Sequence, residues 1–222
     1  MSHVVLLGDS IFDNAAYVPG RPAVIAQLQA ALPSEWTTTL LAVDGHVTAG
    51  VHGQLTRLPA DATHLAISAG GNDALACASI LGQPASGVAE VVREFADIQD
   101  DFRREYREML ADVLAWRPPE RHGGRSLQGP LPTVVCTIYD AIPDLPREAL
   151  AALSFFNDVI TREACRAGVP VLDLRVLCRD KADYSALSPI EPSAIGGAKI
   201  AAALARFFTT HDFSRRECVV FS

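Results

Sequence analysis

No apolar run in this sequence approaches the roughly 20 residues that a membrane helix requires, which excludes a helical span. Basic clusters are missing too. Nineteen Lys and Arg face 26 Asp and Glu, a formal charge of −7, and the pI is near 5.3. That balance argues against a nucleic-acid or anionic-membrane surface. Cysteines are few and scattered: Cys77, Cys136, Cys165, Cys178 and Cys218 form no CxxC pair and no zinc spacing. Cys77 and Cys136 lie in apolar surroundings and read as small buried hydrophobes. Such usage predicts a reducing compartment. The first strand begins almost at once, leaving no room for a signal peptide, so the expectation is a cytoplasmic protein. Internal repeats and low-complexity tracts are absent.

What is present is core material. With 49% hydrophobic residues over 222 positions, the chain predicts one α/β domain spanning 1–222. Val4-Val5-Leu6-Leu7 is apolar without alternation, as a strand buried on both faces of a parallel sheet would be. Further strands are predicted at Thr37–Val43, Thr63–Ser68, Thr133–Ile138 and Val169–Leu174. Helices are predicted at Pro22–Leu32, Val47–Leu58, Ala74–Leu81, Val88–Trp116, Arg147–Ala167 and Ser193–Phe208. In the long one, Val88, Val91, Val92, Phe95, Ile98, Phe102, Tyr106, Met109 and Val113 mark the expected buried stripe. Arg117–Pro132, rich in Pro, Gly and Arg, reads as an exposed and mobile loop. Strands alternating with helices predict a doubly wound sheet with right-handed crossovers. The tail Thr209–Ser222 alternates weakly and fits either a neighbouring molecule or its own sheet.

Three predicted strands end in polar, glycine-containing turns: Gly8-Asp9-Ser10, Asp44-Gly45 and Gly70-Gly71-Asn72-Asp73. In a parallel sheet these turns emerge at one edge, where open α/β sheets bind ligands. Ser10 is a potential nucleophile. Its own N–H, the unobstructed N–H of Gly45 and the side-chain amide of Asn72 are potential donors to an oxyanion. Asp9, Asp13, Asp73 and Asp140 flank the same edge, but their spacing matches no oxygen-ligand metal loop; no cofactor or metal is expected.

In these blocks and their order, the chain resembles the SGNH (GDSL-type) hydrolases. Gly8-Asp9-Ser10 matches the nucleophile block, Gly45 the glycine block and Gly70-Gly71-Asn72-Asp73 the GxND block. The resemblance implies a flavodoxin-like three-layer α/β/α sandwich with a five-stranded parallel sheet. It implies hydrolysis of carboxylic esters, with Ser10 attacking the carbonyl and Ser10, Gly45 and Asn72 forming the oxyanion hole.

The family's last block, Asp-x-x-His, departs here. The corresponding stretch is Ser188-Pro189-Ile190-Glu191-Pro192, ahead of a helix containing Gly196 and Gly197. Glu191 stands at the histidine position and Ser188 at the aspartate position. A carboxylate of ordinary pKa near 4.3 is a weaker base than imidazole, although burial raises it. His46, next to Gly45, is the other candidate base. His52 lies further along, His64 opens a strand at the opposite edge, and His3, His122 and His211 are peripheral. Asp183 is a candidate for orienting a base. Two functions follow: a serine ester hydrolase with Glu191 as an atypical base and a small-molecule ester as substrate, or a binding protein silenced by loss of the histidine. Oligomeric state is not legible.

Overall fold

A computed structural model describes residues 2–117, 129–215 and 217–222. Most of the loop expected at Arg117–Pro132, and His122 within it, lies outside the described residues. The strands are β1 (His3–Gly8), β2 (Thr37–Leu40), β3 (His64–Ser68), β4 (Thr133–Cys136), β5 (Val171–Leu172) and β6 (Val220–Phe221). They form one parallel sheet ordered β2-β1-β3-β4-β5-β6, the flavodoxin-like order with a strand added at one edge. The sheet thus has six strands where five were expected. The addition comes from the tail, which folds onto its own sheet through Val171↔Val220 and Leu172↔Phe221.

The helices are α1 (Val24–Ala31), α2 (Gly50–Leu55), α3 (Gly71–Ala76), α4 (Val88–Ala115), α5 (Arg147–Ala167), α6 (Leu174–Leu177) and α7 (Ala194–Thr210). They cover both faces. Val5 and Leu7 of β1 pack toward α2, α4 and α5, while Val4 and Leu6 pack toward α1 and α7. All four are fully buried, each contributing about 1.5–3 kcal/mol by burial. This two-sided burial is why β1 is apolar without alternation.

Several boundaries move for local reasons. β2 stops at Leu40 because Leu41 and Ala42 both donate to the Leu6 carbonyl, doubling a bond and breaking the ladder. β5 stops at Leu172 because Asp173 caps α6, its carboxylate accepting from Arg175 N–H at 3.1 Å. The helix expected at Ala74–Leu81 starts earlier as α3 and continues as a 3-10 segment, Ala78–Gly82.

The stripe expected along α4 is buried only in its second half, at Phe102, Tyr106, Met109, Leu110 and Val113. Val88 and Val92 are exposed. A 28-residue helix is about 42 Å long at 1.5 Å per residue. Strands of two to six residues span at most about 20 Å. The first turns of α4 therefore overhang the sheet.

Two of the scattered cysteines meet in the structure. Cys165 at the end of α5 and Cys218 just before β6 are disulfide-bonded, with Cα atoms 4.8 Å apart. They lie 53 residues apart in sequence and meet because both elements flank β5, a proximity that spacing does not reveal. The disulfide removes the cysteine pattern as support for a reducing compartment. Cys136 and Cys178 are buried free thiols, and Cys77 is only half-buried. Among the described residues, no helix is long and apolar enough to cross a membrane.

Candidate active site

Gly8 sets the geometry at the end of β1. Its φ is +118°, and a Cβ there would lie 1.7 Å from the Ser68 carbonyl oxygen, so only glycine fits. The chain then turns, and Asp9 N–H donates to Ser68 O at 3.0 Å. The buried side chain of Gln54 on α2 closes this corner. Its Nε2 donates to Gly8 O at 2.8 Å, and its Oε1 accepts from Gly8 N–H at 2.7 Å. Gln54 was missed by sequence reasoning, because a glutamine on a short glycine-broken helix carries no sign of being buried. Ser10 follows, itself buried.

The turns after β2 and β3 meet beside Ser10. Gly45 adopts φ +78°, a left-handed conformation that other residues enter at a cost. Asn72, in the first turn of α3, donates through Nδ2 to the His46 carbonyl at 2.9 Å, which ties the two turns together. A second N–H remains on that amide. Among the described residues, the backbone N–H groups of Ser10 and Gly45 have no protein acceptor. Asp73 accepts from Thr48 N–H at 3.0 Å and Thr48 Oγ1 at 3.1 Å. Burial, the largest influence, raises its pKa against those bonds.

Glu191 reaches the same place on a tightly held loop between a 3-10 turn, Lys181–Asp183, and α7. Ser185 N–H donates to Glu191 O at 2.8 Å, and Glu191 N–H to Ser188 O at 3.0 Å. The Tyr139 hydroxyl donates to Ile190 O at 2.6 Å, Asn14 Nδ2 to Pro192 O at 3.1 Å, and Ser185 Oγ to Tyr17 O at 2.7 Å. Ser193 caps α7 by accepting from Ile195 and Gly196 N–H. The loop is therefore pinned to β4 and to the segment after Ser10. Asn14 and Tyr139 were also missed, since their partners lie some 180 and 50 positions away.

The Glu191 side chain is buried. Burial raises its pKa to about 7, with the Ser10 hydroxyl pulling it back and the Asp44 charge pushing it up. Oε2 has no hydrogen-bond partner. Asp9, on the other side of Ser10, is likewise pushed up to about 7 by burial. Hydrogen bonds from Ile11 N–H and Ser68 oppose that rise, and the charges of Glu191 and Asp73 add to it. An imidazole has an ordinary pKa near 6.5. Burial has brought the Glu191 carboxyl into that range.

The remaining candidates make other contacts. The His46 ring lies against Gly50, its Nδ1 3.2 Å from Gln54 Nε2. His52 pairs with Asp112. His64 stacks on Trp36 at the opposite end of the sheet, and His3 bonds Thr39 there. His211 stacks on Phe207. Asp183, the candidate for orienting a base, is held through one oxygen, while its buried Oδ1 has no partner among the described residues. Its Oδ2 accepts from Lys199 Nζ at 2.7 Å and from Asp180 N–H at 3.0 Å. Lys199 projects from α7 one turn past its start and draws the carboxylate toward the helix. Asp140 lies close enough to Arg175 and Tyr184 to shift their pKa values upward. Among the described residues, no three His, Cys, Asp or Glu side chains are grouped to hold a metal ion.

From Ser10 a crevice of about 960 Å³, open mouth included, runs between α3, α4 and α5. Its walls are apolar, with Leu75, Leu81, Phe95, Ile98, Ile142 and Phe156 prominent. The overhanging turns of α4 supply Phe95 and Ile98. The sequence held one clue to this wall, an apolar stripe longer than the sheet it covers.

Comparison with known proteins adds the family. Residues 6–199 match the GDSL-like Lipase/Acylhydrolase family. No curated protein matches the sequence. Among solved structures, phospholipase A1 from Streptomyces albidoflavus NA297 is 17% identical with a TM-score of 0.64, covering 95% of this chain and 99% of that one. The M. smegmatis aryl esterase is 16% identical with a TM-score of 0.65, covering 95% and 99%. Est24, a carbohydrate acetylesterase from Sinorhizobium meliloti, is 12% identical with a TM-score of 0.63, covering 94% and 99%. At such identities these structures establish a shared fold. The family match extends over most of the chain and takes in all three strand-end turns and Glu191: the protein belongs to the GDSL-like lipase/acylhydrolase family.

Proposed function

We propose that the protein hydrolyses carboxylic esters with Ser10 as nucleophile and Glu191 as general base. The observation that carries this is a buried carboxyl facing the Ser10 hydroxyl with a pKa of about 7. Brønsted behaviour favours a base whose pKa is near working pH. Burial thus does for a glutamate what chemistry does for an imidazole.

In the first half-reaction, Glu191 takes the Ser10 Oγ proton as Oγ attacks the carbonyl carbon. The oxyanion accepts from Ser10 N–H, Gly45 N–H and the free Asn72 N–H. The tetrahedral intermediate expels the alcohol, which leaves with the proton held by Glu191. Water then attacks the acyl-enzyme by the same route, its proton passing to Glu191 and on to Ser10, and the carboxylic acid departs. A histidine base needs an acid to fix its tautomer. A carboxylate has no tautomer, so Ser188 at the family's aspartate position costs nothing.

The test is hydrolysis of p-nitrophenyl acetate against pH by wild type, Ser10→Ala and Glu191→Gln. A base must be ionised, so kcat/KM rises about tenfold per pH unit below pH 7 and levels off above it. Ser10→Ala abolishes turnover. A Ser10-dependent rate that survives Glu191→Gln unchanged excludes Glu191 as the base.

A further inference from the structure

The two sides of Ser10 differ in charge, and the proposed mechanism says which part of the substrate meets each side. Glu191 hands its proton to the leaving alkoxide, so the alcohol sits on the Glu191 side. The acyl group then lies toward the α3, α4 and α5 walls of the apolar crevice, which Ser10 and Glu191 also line. This placement rests on the catalytic reading above.

Two further acids and one aromatic ring lie near Glu191. The Asp44 carboxylate is exposed yet anchored: the Tyr17 hydroxyl donates to its Oδ2 at 2.7 Å. Asp44 N–H donates to Asp13 Oδ2 at 3.0 Å, which fixes the turn. The four groups are close enough to act on one another. The charges of Asp44, Glu191 and Asp13 all bear on the Tyr17 hydroxyl, behind its hydrogen bond to Asp44 and its burial. Among the described residues, no Lys, Arg or His forms an ion pair with Asp13, Asp44 or Glu191. Glu191 is also 95% buried by its 5% exposure, and its Oε2 lacks any protein partner. An unpartnered buried oxygen in the wall that also holds Ser10 leaves its complement to the substrate.

We propose that this side of the site selects esters whose leaving alcohol carries a positive charge, such as an aminoalkyl or trimethylammonioalkyl alcohol. Asp44 and Asp13 supply the attraction, and the Tyr17 ring suits a weakly hydrated cation. An anionic alcohol is repelled by the same carboxylates. A cation seated there also favours the ionised form of Glu191, so the preferred substrate helps to prepare its own base.

Three butyrate esters test this: the trimethylammonioethyl ester, its uncharged 3,3-dimethylbutyl isostere, and the anionic 2-sulfoethyl ester. In low salt the cationic ester has a kcat/KM about tenfold above the isostere, the size expected of nearby, partly screened carboxylates. The anionic ester falls below both. The cationic-to-neutral ratio shrinks toward one in Asp44→Asn and in 0.5 M NaCl. Hydrolysis of all three at similar rates overturns the charge selection and leaves the hydrolase reading standing. Binding of the same esters to Ser10→Ala, measured by calorimetry, separates the two ideas if nothing turns over. A cationic preference in binding then upholds the selection while the catalytic reading fails, and equal binding overturns the selection.

Discussion

Glu191 and Glu163 are almost equally hidden, at 5% and 2% exposure, yet their surroundings are opposite. Glu163, on the α4–α5 face, accepts from Arg107 Nε at 2.9 Å and Nη2 at 3.1 Å, and from Arg166 Nη1 at 2.7 Å. The Arg107 hydrogen bonds and the two positive charges outweigh burial and lower its pKa. Asp173, also outside the Ser10 cluster, follows the same pattern. Burial pushes it up, but Arg175 and Thr137 bring it below its ordinary value. At the Ser10 edge, Asp9, Asp73 and Glu191 have hydrogen bonds but no cation, and all three are raised. A buried acid with a guanidinium is a finished ion pair that holds helices together. A buried acid without one holds its proton more tightly, and at Asp9 and Glu191 up to about pH 7.

Exchanging each glutamate for glutamine is the sharpest way to break this contrast. Glu191→Gln keeps the shape and removes the basicity, so kcat/KM for p-nitrophenyl acetate falls by about 10³-fold. Glu163→Gln leaves kcat/KM within about threefold and lowers Tm. Comparable losses of activity in both variants would abolish the distinction. The next largest effect falls on the oxyanion side. A glutamate base becomes neutral when it takes a proton, whereas a histidine base becomes a cation facing the oxyanion. The hydrogen-bond donors must therefore carry more of the negative charge. Asn72→Ala lowers kcat by about 10²–10³-fold with little change in KM, measured on the same ester.

The raised pKa values also make a statement about stability. Asp9 moves from 3.8 to about 7 on folding. A carboxyl raised by folding contributes stability that is present below its unfolded pKa and lost as pH rises through its folded pKa. Stability therefore declines between about pH 4 and 7, by up to roughly 4 kcal/mol for a shift of this size. Glu191, moved from 4.5 to about 7, acts in the same direction. Asp9→Asn removes the ionisation while keeping an oxygen for Ile11 N–H. Urea midpoints for this variant should vary less between pH 5 and 8 than those of wild type. A steeper dependence would show that the Asp9 edge is not the unpaired half of the contrast.

Much of this was legible in the sequence because parallel sheets write themselves plainly. Val4 to Leu7 announced a strand buried on both faces, and the glycine-containing turns after β1, β2 and β3 announced a shared edge. The family resemblance supplied the order of the blocks. What stayed hidden depended on contacts between distant residues. Gln54 corking the end of β1, Asn14 and Tyr139 gripping the Glu191 loop, and Cys165 meeting Cys218 leave no periodic trace. Asp183 and Glu191 illustrate the same limit. Eight residues apart on one loop, they look alike in sequence. Lys199, one turn into α7, claims the first and leaves the second alone.

The smallest effect tests the paired half of the contrast on its own. Arg107 is 58% exposed in its side chain, while the Glu163 side chain is 2% exposed. Replacing Arg107 with alanine leaves Arg166 in place, so the buried carboxylate keeps a partner and the loss of stability is small. Arg166→Ala has a similar effect for the same reason. Removing both strands the charge, and stranded buried charges cost about 3–5 kcal/mol. The double variant should therefore lose more than the two singles added together, measured by urea unfolding at pH 7. Strict additivity would mean that neither arginine neutralises Glu163, and that cations are not what separates the two buried glutamates.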